Sequence, residues 1–342
     1  MQFGIFSSAQ ANSQALGPES GQGFRDYLDF NVEAEALGFA SSFLVEHHFT
    51  GWNQVSATLM LLMALAMRTK TLRLGSAVMV LPWHNPVLLA EAAATLDLVS
   101  GGRFDFGIGK GYRHSEFKGF QIAPEEAQAR FDEAVEVMRR AFTSRERFSH
   151  HGHFWHFEDI VVEPPPAQEP HPPFWVAAGS APSIRRAAAQ GFNLILDQYA
   201  GAAQLAERIS VYKTERAADG MSFHPMQIAV ARQLYVAKDE ADRQAALMRQ
   251  AAYTKRTVDV SRKPDAAGGS HVLAYADKAG GTEENALFGT PDRIAVMLDE
   301  LRRAGVDYVL LTVSGGIAQL RRFAREIMPA FADSNATADA TE

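Results

Sequence analysis

Eight short apolar runs, each followed by a segment with helical spacing, constrain the fold of this chain more than any other feature. The runs cover residues 2–6, 42–45, 72–81, 103–108, 174–178, 193–196, 227–236 and 308–313. Such runs, bounded by Gly, Pro and polar turn residues, mark buried strands. The segments between them carry helix signals. Residues 24–37 place Phe24, Leu28, Val32 and Ala36 at helical spacing and close at Gly38, a good C-terminal cap. Pro86, Pro124 and Pro291 each stand at a predicted helix start, where the missing N–H costs nothing. Strands alternating with helices in this way predict an α/β chain closed into a (β/α)8 TIM barrel. An open doubly wound sheet is the competitor. It places a Gly-rich phosphate turn after its first strand, and no G-x-G-x-x-G follows Phe6.

Two insertions interrupt the alternation. Residues 148–162 are aromatic and His-rich around Gly152, which predicts a β-hairpin. Residues 254–287 have no clear period and collect glycines, which predicts a long mobile loop. The tail 332–342 is small and polar and is expected to be disordered. The remaining 1–331 reads as a single domain, since a barrel with insertions reaches this length.

Composition excludes several function classes. The net charge of −7 argues against a nucleic-acid footprint. The chain has no Cys, so a disulfide, a thiolate nucleophile and a Cys-ligated metal are all ruled out. The start MQFGIFSSAQ lacks the basic and apolar regions of a signal peptide, and the apolar stretch 55–67 is too short to span a bilayer. A cytoplasmic protein without membrane contact is expected.

In a barrel the site is built from the segments that follow the strands. The second run ends in Glu46-His47-His48, three ionisable groups at a strand terminus. Histidine trades protons near neutral pH, so His47 and His48 are catalytic candidates. Being adjacent, they leave an extended strand on opposite sides. The alternative is one core-packed histidine beside a solvated one. Gly109-Lys110-Gly111 after the fourth run and Gly179-Ser180 after the fifth make a phosphate cradle, with Ser183 as a further hydroxyl. The alternative for Ser180 is a simple helix N-cap. Phe6, Trp52, Trp83, Tyr112 and Phe117 are candidates for an apolar substrate pocket, with core packing the alternative for Phe6 above all. His150, His151, His153 and His156 resemble a metal cluster, but a hairpin spreads them over both faces without a carboxylate or Cys at ligand spacing, so no metal is expected.

In their order, GFASSFLVEHHFT, LP-x-H-NP, SGGRF-x-FG-x-G, FGTP at 288–291 and IMPAF are a specific set. With them the chain resembles the bacterial luciferase-like flavin-dependent monooxygenases, the family of the luciferase α subunit, over about residues 3–330. The resemblance implies a (β/α)8 barrel, dimeric, that binds reduced FMN supplied by a separate flavin reductase. Dioxygen adds to the flavin C4a carbon, and the peroxyflavin oxidises a small apolar molecule such as an aldehyde or ketone. It implies His47 as the catalytic base with His48 beside it. Lys110 falls where luciferases hold the FMN phosphate with an Arg, with Gly111 and Tyr112 following it. Gly179, Ser180 and Ser183 fall on the second phosphate loop. Ala77 and Val78 fall where the family holds a non-prolyl cis peptide beneath the flavin ring. Residues 254–287 correspond to the mobile active-site loop. The departures are Gly109 in place of a luciferase Cys near the flavin, Lys110 in place of Arg, and Gly179 in place of Glu. Some relatives use the deazaflavin F420 and act as dehydrogenases or reductases. That is the first rival reading; a non-catalytic flavin-binding partner subunit is the second.

Overall fold

The computed structural model describes residues 1–12, 15, 17–261 and 284–332. Eight parallel strands close into a barrel. They are β1 (Gln2–Ser7), β2 (Ser41–Leu44), β3 (Arg73–Ser76), β4 (Phe104–Gly109), β5 (Phe174–Ala177), β6 (Asn193–Leu196), β7 (Ile228–Val236) and β8 (Tyr308–Val313). Each pairs with its neighbour in this order, and β1 closes the ring on β8 with Gln2 opposite Tyr308 and Ile5 opposite Leu311. The predicted alternation is therefore the real one.

Side chains alternate across each strand, and this divides the core. Phe43, Trp175, Ile195, Ala229, Tyr308 and Leu310 fill the barrel interior. The opposite faces of the strands meet the surrounding helices in a second, larger core. Helix Ala127–Thr143 shows how a helix joins it. Its Phe131, Ala134, Val135, Met138, Ala141 and Phe142 are buried at the three- and four-residue spacing of one face. Each buried Phe or Leu contributes about 2 kcal/mol relative to exposure to water.

Three expectations need amendment. The run 72–81 is not one strand. It breaks at a cis peptide between Ala77 and Val78, and Met79–Val80 then pairs separately with the end of β4. Residues 254–261 are not loop: helix Glu240–Ser261 continues through them. The β-branched Thr257 and Val258 obscure that helix in the sequence. Lys255 pairs with Asp259 one turn on, and Thr257 Oγ1 donates to the Tyr253 carbonyl. The rest of the expected mobile loop, 262–283, lies outside the described residues, as does 333–342 of the expected tail. Leu287–Gly289 is a short extra strand on β7.

The hairpin is formed by Phe148–His151 and His156–Ile160, antiparallel. Glu133 pins its turn by accepting from the backbone N–H groups of His153, Phe154 and Trp155. His150 turns to Glu133 as well, while His151 faces Glu158 on the exposed side. Among the described residues no group of His, Asp and Glu stands where it could hold a metal ion. Among them no helix is long and apolar enough to cross a membrane.

Candidate active site

The C-terminal ends of β2, β3, β4 and β5 lie side by side on one rim of the barrel, and the polar residues that follow them meet there. At the end of β2, Glu46 is buried. Its Oε2 accepts from the Val80 N–H at 2.6 Å, and its Oε1 faces His84 Nε2 at 2.6 Å and His48 Nε2 at 3.0 Å. Burial alone would raise the Glu46 pKa. The hydrogen bonds to His48, His84 and Val80 prevail and hold it down to about 2. Glu46 is thus an anion that ties β2 to the segment after the cis peptide.

His47 turns the other way. Its Nδ1 lies 3.0 Å from Glu116 Oε1, and the same oxygen accepts the His48 backbone N–H at 2.9 Å. A carboxylate oxygen can only accept, so Nδ1 carries the proton and Nε2 keeps its lone pair. Among the described residues Nε2 has no hydrogen-bond partner. Burial lowers the His47 pKa below its ordinary value. Glu116 opposes the shift and the charge of Arg113 adds to it. His47 is a neutral base held in one orientation. Its ring meets the Tyr112 ring edge-on at 5.9 Å.

Glu116 and Arg113 come from the connection after β4. Glu116 sits in the short helix His114–Gly119, and Arg113 immediately precedes it. Both side chains are 1% exposed. Arg113 Nη1 donates to Thr50 Oγ1 at 3.3 Å and to the Trp52 carbonyl at 3.4 Å. On the other side of the corner, His48, Trp83, Phe117, Phe120 and Phe49 pack ring against ring, with Trp83 stacked on Phe120 at 5.0 Å.

A cavity of about 320 Å³ opens where β4 and β5 end. Gly109, Lys110, Ser180, Ser183, Arg186 and Gln128 line it. Lys110 Nζ reaches Gln128 Oε1 at 3.3 Å. Ser180 is the N-cap of helix Ala181–Ala189 and forms a reciprocal capping box with Ser183. The N-cap alternative for Ser180 therefore holds, and the same geometry turns the helix's positive end toward the cavity. Close packing builds the neighbouring rim. A Cβ on Gly109 would stand 2.4 Å from Val78 Cγ2. Gly111 has a φ of +81°, and a Cβ there would meet Val80 and Trp83.

A profile of the family described as luciferase-like monooxygenase matches residues 1–308. The chain belongs to that family. It is 25% identical to the oxygenase component of the flavin-dependent trigonelline monooxygenase of Acinetobacter baylyi, over 98% of this chain and 96% of that one. It is 34% identical to the F420-dependent glucose-6-phosphate dehydrogenase of Intrasporangium calvum over 54% of this chain and 56% of that one. The crystal structure of the monooxygenase RslO1 from Streptomyces bottropensis superposes with a TM-score of 0.82 at 28% identity, covering 97% of this chain and all of that one.

The rim fits the phosphate of a luciferase-like enzyme's cofactor. Two cations, two hydroxyls and a helix N-terminus surround a cavity with room for the group, and the glycine at 109 lets that strand end pack directly on Val78. Lys110, Ser180 and Ser183 meet at this cavity, and Gly179 stands beside it against Asp197 and Arg208. Val78 adjoins Gly109, while Ala77 packs against the core inside the barrel. His47 and Tyr112 stand together further along the rim, while His48, Trp83 and Phe117 share the aromatic cluster. Trp52 lies apart, against helix Glu240–Ser261: its ring meets Tyr253 at 5.1 Å and its Nε1 donates to Thr257. Phe6 packs between the two cores. Sequence reasoning missed Arg113, Glu116 and Arg186 as site residues. The only available signal was their position, within one or two turns of an expected strand end.

Proposed function

We propose that this chain is the oxygenase component of a two-component system. It takes reduced FMN from a separate flavin reductase and uses dioxygen to oxidise a small, largely apolar organic substrate such as an aldehyde or ketone. One observation carries the reading: the short run from Gly109 to Tyr112 lines the cationic cavity at Lys110 and touches the oriented base His47 at Tyr112. Cofactor anchor and acid–base group are thus linked through one short segment.

Bound reduced FMN supplies the electron pair that activates dioxygen. Lys110, Arg186, Ser180 and Ser183 would hold its phosphate, with Ala77, Val78 and Gly111 as the residues that would take its ring. His47 handles the proton. Its Nδ1–H is committed to Glu116, so Nε2 is the atom that accepts a proton and returns it. His48 is a positioning residue, fixed on Glu46. The rings of Trp83, Phe117 and Phe120 keep water from that side, which strengthens every charge interaction inside. Trp52, held on helix Glu240–Ser261, borders the substrate side, and Phe6 supports it from the core.

The protein works as a homodimer in the cytoplasm. Helices Thr58–Ala66 and Pro86–Ser100 pack side by side and leave Met60, Met67 and Leu88 at 75%, 72% and 65% exposure. An apolar group of this kind is suited to a second copy.

The F420 reading is the second one. It is supported by the relative from Intrasporangium calvum and by the cavity, whose cations would hold the phosphate of either cofactor. Anaerobic titration with reduced FMN, and in parallel with reduced F420, separates the two. Binding of reduced FMN, followed by oxygen uptake coupled to oxidation of an added aldehyde or ketone, is the expected result. Binding of F420 alone, with no oxygen uptake, overturns it.

A further inference from the structure

Arg113 is a deeply buried cation of the rim, and beyond its charge at His47 the proposed chemistry gives it no task. Its side chain is 1% exposed. Nη1 makes two long hydrogen bonds, to Thr50 Oγ1 and the Trp52 carbonyl. Nε is buried and, among the described residues, has no hydrogen-bond acceptor. Among the described residues its nearest carboxylate oxygen, Glu116 Oε1, forms an ion pair at 3.9 Å, too long for a hydrogen bond, and already takes the His47 Nδ1–H and the His48 N–H. A buried guanidinium with open donors and no hydrogen-bonded counter-anion is costly unless a ligand completes it. The planar fork of Arg matches the two oxygens of a carboxylate.

Its surroundings say what the ligand's body is. The guanidinium lies 6.0 Å from the Tyr112 ring centre, and its charge is felt at both His47 and Tyr253. Tyr253 packs on Trp52, whose ring also carries the Arg256 guanidinium at 4.1 Å, and Tyr199 is close enough to feel both Tyr112 and Tyr253. Aromatic faces therefore flank the cation on the side where His47 stands.

We propose that Arg113 is a specificity-determining residue that binds a carboxylate on the substrate, so that the enzyme acts on a planar, aromatic-bodied organic acid. The proposal rests on the reading of this rim as the oxidation site and narrows its substrate class. The carboxylate anchors on Arg113, and the body lies between Tyr112 and Tyr253. The group to be oxidised is brought to His47.

The test is binding without turnover. Benzoate, phenylacetate and cinnamate, each beside its amide, are titrated into the full-length protein, with tryptophan fluorescence as the readout. Reduced-FMN affinity is measured separately. At least one acid is expected to bind roughly tenfold or more tighter than its amide. In Arg113→Gln the preference should vanish, while in Arg113→Lys part of it should remain, with far-UV circular dichroism and reduced-FMN affinity unchanged in both. If no acid is preferred over its amide, or if Arg113→Gln keeps the preference, the proposal is overturned. Should Arg113→Gln fail to fold, the wild-type comparison and Arg113→Lys decide. A failure of the cofactor reading instead appears as lost FMN binding with the acid preference intact.

Discussion

His47 and His48 are consecutive, yet each is bonded to a different buried carboxylate: His47 Nδ1 to Glu116 and His48 Nε2 to Glu46, both at 3.0 Å. Successive side chains of an extended segment leave on opposite sides. The corner therefore separates into a half that faces Tyr112 and the rim, and a half that is locked among aromatic rings. Glu116 also accepts the His48 backbone N–H. One carboxylate thus fixes both the ring of the first histidine and the backbone of the second.

The pH dependence of the reaction follows from the first half. Burial lowers the His47 pKa below the ordinary 6.5, with Arg113 adding to the shift and Glu116 and Glu46 opposing it. A base must be unprotonated, so the acid limb of kcat/KM is expected below pH 6.5. Removing the positive charge in Arg113→Gln should move that limb up, and removing the negative one in Glu116→Gln should move it down. His47→Ala should lower kcat by about a hundredfold or more with little change in reduced-FMN affinity. Stopped-flow and steady-state pH profiles check all three, and unaffected turnover in His47→Ala removes His47 from the chemistry.

Lys110 is expected to act on the phosphate alone. Lys110→Ala should weaken reduced-FMN binding by about tenfold to a hundredfold, the cost of one charge-assisted contact. Reduced riboflavin, which lacks the phosphate, should bind wild type and variant alike. Lys110→Arg should retain affinity, because a guanidinium meets phosphate with two parallel bonds. Equal losses for both flavins would show that Lys110 supports the loop instead.

Glu46 is expected to matter to stability before chemistry. Glu46→Ala leaves the Val80 N–H and two histidines without their shared acceptor and should cost about 3 kcal/mol, read by urea unfolding. The carboxylate pKa is held at about 2 against an ordinary 4.5. Its stabilisation is therefore full above pH 4.5 and is lost as pH falls toward 2. In Glu46→Gln the acid unfolding curve should lose part of its slope between those values.

The apolar helix pair should govern association. Met60→Glu together with Met67→Glu is expected to yield a monomer by light scattering, with far-UV circular dichroism unchanged, since both side chains are exposed in one chain. A wild-type protein that is itself monomeric at micromolar concentration would remove the dimer.

Eight strands, their order and the rim on which chemistry gathers are written in local pattern. Runs such as FDFGIG and YVLLTV bury both faces of a strand wherever they pair, and the Pro at each helix start needs only its own ring geometry to be read. The EHHF corner is legible for the same reason, as polar residues that end an apolar run. Local pattern misled where local signals conflict: Thr257 and Val258 weaken the helical period of 254–261, and contacts with Trp52 and Asn53 across the chain restore it. Only the closed barrel decided which acid meets which histidine. Glu116 is 69 residues from His47 and Tyr253 is 200 from Asn53. At such separations the partner is selected by how strands register and loops cross the rim. Periodicity records whether a side chain is buried, and closure of the chain determines what it is buried against.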